Sequence, residues 1–186
     1  MGTVTVSPET FTMVKFDAAE IVAVAEKLMD DIGLPADLAL TIEVDERTPL
    51  GRALVSSMDP LVISVESGAL EDPKRPRELS ETGAADVLGR LLLRVRDRFD
   101  PEFGDPGPDD SLTLARSAAW DAYCIGRLVR VGYRHYNNRQ RRLYHFRNRH
   151  GFTDAADAAF ERLWTAERLT WADIQAASDE ALRAAA

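Results

Sequence analysis

The spacing of hydrophobic positions changes character twice along this chain. Near the start it has period two. Thr3 to Val6 alternates like a short strand, Ser7-Pro8-Glu9 reads as a turn, and Thr10 to Phe16 predicts a second short strand. A helical period follows. Asp17 with Glu20 three residues on forms an N-cap pattern, and Ile21, Ala25, Leu28 and Ile32 then share one face. Gly33-Leu34-Pro35 ends that helix, since glycine supplies a left-handed position and proline blocks continuation. Alternation returns in Leu38, Leu40, Ile42 and Val44, interleaved with Thr41, Glu43 and Asp45, which predicts a strand with one wet face. After the turn Thr48-Pro49-Leu50-Gly51, strands are predicted over Arg52–Ser56 and Leu61–Glu66, separated by Asp59-Pro60.

Residues Ser67 to Leu79, with Pro73 and Pro76 among charges, read as a loop long enough to be functional. Ser80 then caps a helix whose Ala84, Leu88, Leu91, Val95 and Phe99 face inward. Arg90, Arg94 and Arg98 line its other side, which predicts a solvated, ion-paired face. Asp100 to Asp110 is a Pro/Gly/Asp break. Its acids do not have the spacing of a calcium loop, and its prolines oppose wrapping a cation.

Beyond the break the pattern is helical to the end. Leu114, Ala118, Ala122, Ile125, Val129, Gly132, Tyr136 and Leu143 keep one phase. One unbroken helix to His150 would run about 58 Å at 1.5 Å per residue, against a radius of gyration of about 16 Å for a domain of this size. A bend or break is therefore expected, first at Asn137-Asn138 and next at Gly132. Gly151-Phe152 stops this segment. Thr153-Asp154 opens a helix with Phe160, Leu163 and Trp164, and Thr170 with Asp173 caps a last one beginning at Trp171. The fold class predicted is α+β: a small N-terminal αβ layer with a mostly antiparallel or mixed sheet, then a C-terminal helical bundle. The expected organisation is 1–100, a linker at 101–110, and 111–186, packed as one unit.

Composition narrows the class. A hydrophobic content of 45% supports a core. No apolar run approaches the ~20 residues of a membrane span. The N-terminus lacks a signal-peptide layout and a myristoylation pattern, and a single cysteine allows no internal disulfide. A soluble cytoplasmic protein, with no membrane partner, is expected.

Charge adds an asymmetry. Residues 122–153 hold eight arginines and no acid, so a net charge of −8 leaves about −16 on the remainder. An acidic total disfavours general nucleic-acid binding, because repulsion from phosphate acts over the whole surface.

Several chemistries lack their residues. His145 and His150 are five apart, about 140° around a helix, and Cys124 lies about 16 Å along the helix from His135, so no local metal site is expected. There is no nucleophile elbow, cysteine-protease context or phosphate-binding glycine loop. No catalytic residue, metal or cofactor is assigned. The element order over residues 17–99 resembles that of minimal zincin-type metallopeptidases, in which the helix after the last strand carries HExxH. Here that helix reads Val87-Leu88-Gly89-Arg90-Leu91-Leu92-Leu93. The resemblance implies a scaffold without peptidase chemistry and brings no functional residue with it.

The arginine-rich segment is the remaining lead. On a continuous helix Arg127, Arg130, Arg134, Arg141 and His145 fall within about 80° of arc, flanked by Tyr133 and Tyr144. These are the candidates for binding an anion or a partner. Arg139 and Arg147 project to the apolar side, where a charge needs a carboxylate or bound anion. The leading expectation is a binding or assembly module whose Arg/Tyr-rich helix is an ion-pair hub or a contact surface. An acidic protein partner or self-association fits it. The alternatives are an enzyme with a site between the two parts near residues 67–79, and the inactive zincin-like scaffold.

Overall fold

The computed structural model describes residues 3–134 and 138–186. Its fold is α+β, with a small mixed sheet in the N-terminal part and a helical C-terminal part. The chain divides into two compact units, the first ending at Val95 and the second beginning at Arg96.

In the first unit, strands β1 (Val4–Ser7), β2 (Leu40–Asp45), β3 (Ala53–Met58) and β4 (Leu61–Glu66) form one sheet in the order β1-β2-β4-β3. The pairs β1·β2 and β2·β4 are parallel and β3·β4 is antiparallel, so the sheet is mixed. Helix α1 (Ala18–Asp31) supplies the crossover from β1 to β2 that a parallel pair requires. Asp17 caps it by accepting from the Ala19 backbone N–H, and Gly33 takes φ +70° just beyond its end. Its Ile21, Ala25 and Leu28 are buried, as are Leu40, Ile42 and Val44 of β2 and Leu61, Ile63 and Val65 of β4. The period-two and period-3.6 patterns thus mark the faces that are buried.

Two local expectations here are corrected. Thr10–Phe16 is not a strand. Its backbone N–H groups at Thr12 and Met13 donate to the Glu46 carboxylate at 2.8 and 2.6 Å, and only Lys15 makes an isolated bridge, to Glu78. A carboxylate has replaced the ladder as acceptor. Residues 67–79 are not a bare loop either. They form a 3-10 turn at Ser67–Ala69 and a hairpin of β5 (Glu71–Asp72) and β6 (Arg75–Leu79). Proline at 76 is tolerated because this two-stranded hairpin has only edges.

Helix α2 (Glu81–Phe99) starts where Ser80 Oγ accepts from the Gly83 N–H at 3.0 Å. Ala84, Leu88, Leu91 and Val95 are buried as the pattern predicts, but Phe99 is 46% exposed. The expected solvated arginine face is also corrected: Arg94 is 2% exposed, and the Arg98 side chain is committed to Asp109 at 2.6 Å.

The second unit is a bundle of α3 (Leu114–Arg130), α4 (Asn138–His150), α5 (Asp154–Thr165) and α6 (Trp171–Ala185), with α3 packed against all three others. From Ala118 to Gly126 every residue of α3 is buried, the mark of a central helix. Leu114, which the pattern places on the apolar face, is exposed in the first turn. The small residues bring the helices close. A Cβ at Gly126 would lie 2.2 Å from the Trp164 carbonyl oxygen. Phe103, from the stretch 100–110, is buried against Trp120 (5.5 Å between ring centroids) and Trp171.

The long helix is broken, as its length requires. Helix α3 ends at Arg130, Gly132 follows at φ +110°, and α4 begins at Asn138. His135, Tyr136 and Asn137 lie outside the described residues.

Candidate functional site

The break sends the candidate arginines into different environments. Arg127, on the buried part of α3, makes a two-pronged ion pair with Asp97 of α2: Nη1 to Oδ1 and Nη2 to Oδ2, both 2.7 Å. The same carboxylate accepts from Trp120 Nε1 at 2.8 Å. The guanidinium also stacks on the Tyr123 ring, 3.8 Å from its centroid. Both members of the pair are shielded, at 13% and 6% side-chain exposure. Burial works against the charge on Arg127, but the Cys124 sulfur and the Asp97 carboxylate beside it raise its pKa above the ordinary value. Burial likewise pushes the Tyr123 phenol up. Its oxygen accepts from the Leu169 backbone N–H at 3.0 Å, tying α3 to the turn before α6.

Arg130, one turn on, donates from Nη1 to the Trp164 carbonyl and from Nη2 to that of Ala166, both at 2.6 Å. These carbonyls lie at the end of α5, where the last turn leaves acceptors unsatisfied and the dipole favours a cation. Desolvation, reinforced by repulsion from Arg127, lowers the pKa of Arg130.

Arg139 and Arg147 of α4 each meet an acid of α5. Arg139 pairs with Glu161. Arg147 makes a forked pair with Asp157, Nε to Oδ1 at 2.7 Å and Nη2 to Oδ2 at 2.5 Å. That bond raises the arginine's pKa and lowers that of the carboxyl. Arg142 lies 3.9 Å from the buried Asp121 of α3. His150 closes the set. It is buried, stacked on Phe146 (3.8 Å between centroids), with Nδ1 3.0 Å from the Phe146 carbonyl and Nε2 2.8 Å from Ser178 Oγ of α6. A backbone carbonyl can only accept, so Nδ1 carries the proton and Nε2 accepts from Ser178. Burial pulls the imidazole pKa down.

The opposite side of α4 is different. Arg141, Tyr144, His145 and Arg149 are exposed there. Arg141, His145 and Arg149 stand four apart in sequence, which makes them one row along the helix. Among the described residues neither Arg141 nor Arg149 has an ion-pair partner. Tyr144 is 61% exposed and lies edge-on to Phe152, 63% exposed, with ring centroids 6.1 Å apart. Arg134 is exposed and Tyr133 half-buried in the segment after α3. The arc that a continuous helix would present is therefore divided: Arg127 and Arg130 face inward partners, Arg134 and Tyr133 sit beyond the break, and Arg141, His145 and Tyr144 share the outward face of α4.

Sequence reasoning did not single out Asp97, Asp109 or Phe152. Asp97 lies 30 residues before its partner, and only the cluster Arg96-Asp97-Arg98 ahead of an aromatic hints at it. The signal for Phe152 is a large apolar residue directly after the glycine that stops a helix.

Among the described residues, no group of three or more His, Cys, Asp or Glu side chains is placed to hold a metal ion, and no helix is long and apolar enough to cross a membrane. In the 67–79 segment the charges pair locally, Arg75 with Asp72 at 2.9 Å and with Glu78 at 3.3 Å. No protein-family model, curated protein or solved structure matches the chain.

Proposed function

We propose that the protein is a cytoplasmic binding or assembly module in which the arginine-rich stretch has two tasks. Its inner members form the hub that ties the helices of the second unit together, Arg127, Arg139 and Arg147 by ion pairs and Arg130 by hydrogen bonds to backbone carbonyls. Its outer members on α4 are a contact surface for an acidic protein segment. The observation that carries this reading is the outward row of α4, where Arg141 and Arg149 are exposed, Arg141 lies one turn from the exposed Tyr144, and no acid occurs between Asp121 and Asp154. An acidic protein partner fits the charge of that row.

The test is fluorescence anisotropy of a labelled oligoglutamate peptide at about 50 mM salt, where such contacts are strongest. Binding that weakens with salt, and that the double variant Arg141→Glu/Arg149→Glu removes without unfolding the protein, is the expected result. No binding, or binding unchanged in the double variant, would overturn the proposal.

A further inference from the structure

We infer that the acidic segment taken by α4 carries an apolar side chain that seats on Tyr144 and Phe152, next to Arg141, which lies one turn before Tyr144. This rests on the reading of α4 as an acid-binding surface and adds the second half of the recognition. The two rings are among the most exposed large hydrophobic side chains of the protein, and they touch each other rather than being scattered. Adjacent exposed apolar groups mark contact sites more than single ones do.

Their position is held by the backbone. Gly151 turns the chain at φ +97°, and a Cβ there would come within 2.6 Å of the Ala185 side chain, so only glycine permits this close reversal. The reversal brings Phe152 back beside Tyr144, a full two turns earlier on α4. Behind Phe152, the Arg147 guanidinium lies 5.9 Å from the ring centroid and is fixed by its forked pair with Asp157. The step is therefore a preformed apolar patch, which lowers the cost of ordering on binding.

Ring geometry selects the class of occupant. The planes of Tyr144 and Phe152 meet at 69°. Successive nucleic-acid bases need successive exposed faces on which to stack. A T-shaped pair offers instead an angle between two rings, which an aliphatic or aromatic side chain can fill. An acidic segment with such a residue satisfies the arginine row and the aromatic step together. A purely acidic segment leaves the step wet.

The experiment uses the full chain and three labelled probes: a short glutamate-rich peptide with a central leucine, its twin with serine in that place, and an oligothymidylate. The expected result is binding of the leucine peptide about tenfold tighter than the twin, the scale of one well-seated apolar anchor. Phe152→Ser, and separately Tyr144→Ser, should erase that difference. Equal binding of the two peptides would overturn the apolar half while leaving the acid-binding surface standing. Tighter binding of oligothymidylate would overturn it in favour of nucleic acid. If neither peptide binds, the acid-binding surface itself falls.

Discussion

Arg127 and Arg141 come from the same acid-free stretch, yet they do opposite things. Arg127 is enclosed by Tyr123 and by Asp97, whose carboxylate also accepts from Trp120, and its charge is answered by two short hydrogen bonds. Arg141 stands on the outer side of α4, with no such answer among the described residues. The contrast shows that local charge density does not distinguish a hub from a surface. What separates them is whether an acid from elsewhere in the chain lies opposite. Along α4 the difference appears within three turns: Arg139 and Arg147 find Glu161 and Asp157 of α5, whereas Arg141 and Arg149 face away.

The sharpest way to break this comparison is to remove Arg127. Arg127→Met strands the Asp97 carboxylate in a shielded site, and a stranded buried charge typically costs about 3–5 kcal/mol. Urea unfolding of the full chain measures it. Adding Asp97→Asn removes that charge while leaving an acceptor for Trp120 Nε1, and should recover part of the loss. A loss below about 1 kcal/mol for the single variant would place Arg127 with the solvated arginines.

Next in size is the packing beside the hub. Gly126→Ala gains about 1 kcal/mol of helix propensity. Its Cβ, however, would lie 2.2 Å from the Trp164 carbonyl oxygen and 2.9 Å from its carbon, so α5 must move and Arg130 loses its capping geometry. A net destabilisation of about 1–3 kcal/mol is expected from overpacking. A melting temperature equal to or above that of the parent would show that α3 and α5 are less tightly apposed than described.

These same sites show what the sequence conveys. Caps are local, and Asp17, Ser80, Thr153 and Thr170 all sit where their side chains suggest. The buried faces of β2, β4 and α1 follow directly from periodicity. The failures are non-local. Thr10–Phe16 has strand-like alternation, but Glu46, more than thirty residues away, takes its backbone donors. Arg94 and Arg98 look like a solvated stripe because their surroundings come from other parts of the chain; for Arg98 these are Asp109 and the Trp120 ring, 4.7 Å from the guanidinium. For the candidate site, the residue types were legible, as was the need of Arg139 and Arg147 for an acid, but the inward commitment of Arg127 and Arg130 was not. The inward or outward sense depends on where the helix breaks, which resets the phase between Arg127 and Arg139.

A third test uses pH to probe the hub where its links are polar but uncharged. His150 is buried and neutral, with a pKa lowered from 6.5 by burial. The unfolded chain therefore binds the proton more readily. The stability from neutral His150 is complete above about pH 6.5 and falls as pH drops from there toward the lowered folded-state pKa. Asp157 and Asp173, whose pKa values are lowered from 3.8, lose their contribution only in more acidic solution. Chemical unfolding between about pH 7 and 5 should show the early loss, and His150→Gln should flatten it. A parent profile flat across that range would rule out the buried neutral imidazole.

The smallest stability effects belong to the exposed hub pair at Arg139 and to the outer arginines, and smallness is the point of the last test. Arg139 and Glu161 are each about half exposed, at 49% and 48% of the side chain. Arg139→Ala should cost less than about 1 kcal/mol. Arg141→Ala and Arg149→Ala should each fall within about 0.5 kcal/mol of the parent. Charge reversal is more discriminating than truncation, because a residue facing a hidden acid is destabilised by it and a residue facing solvent is not. If Arg141→Glu or Arg149→Glu costs more than about 1 kcal/mol in urea unfolding, that position joins Arg127 in the hub and the α4 surface loses it. If both reversals leave stability unchanged, the charge on this face is not required to hold the fold, and any loss of acidic-peptide binding in the same proteins reports the contact surface alone.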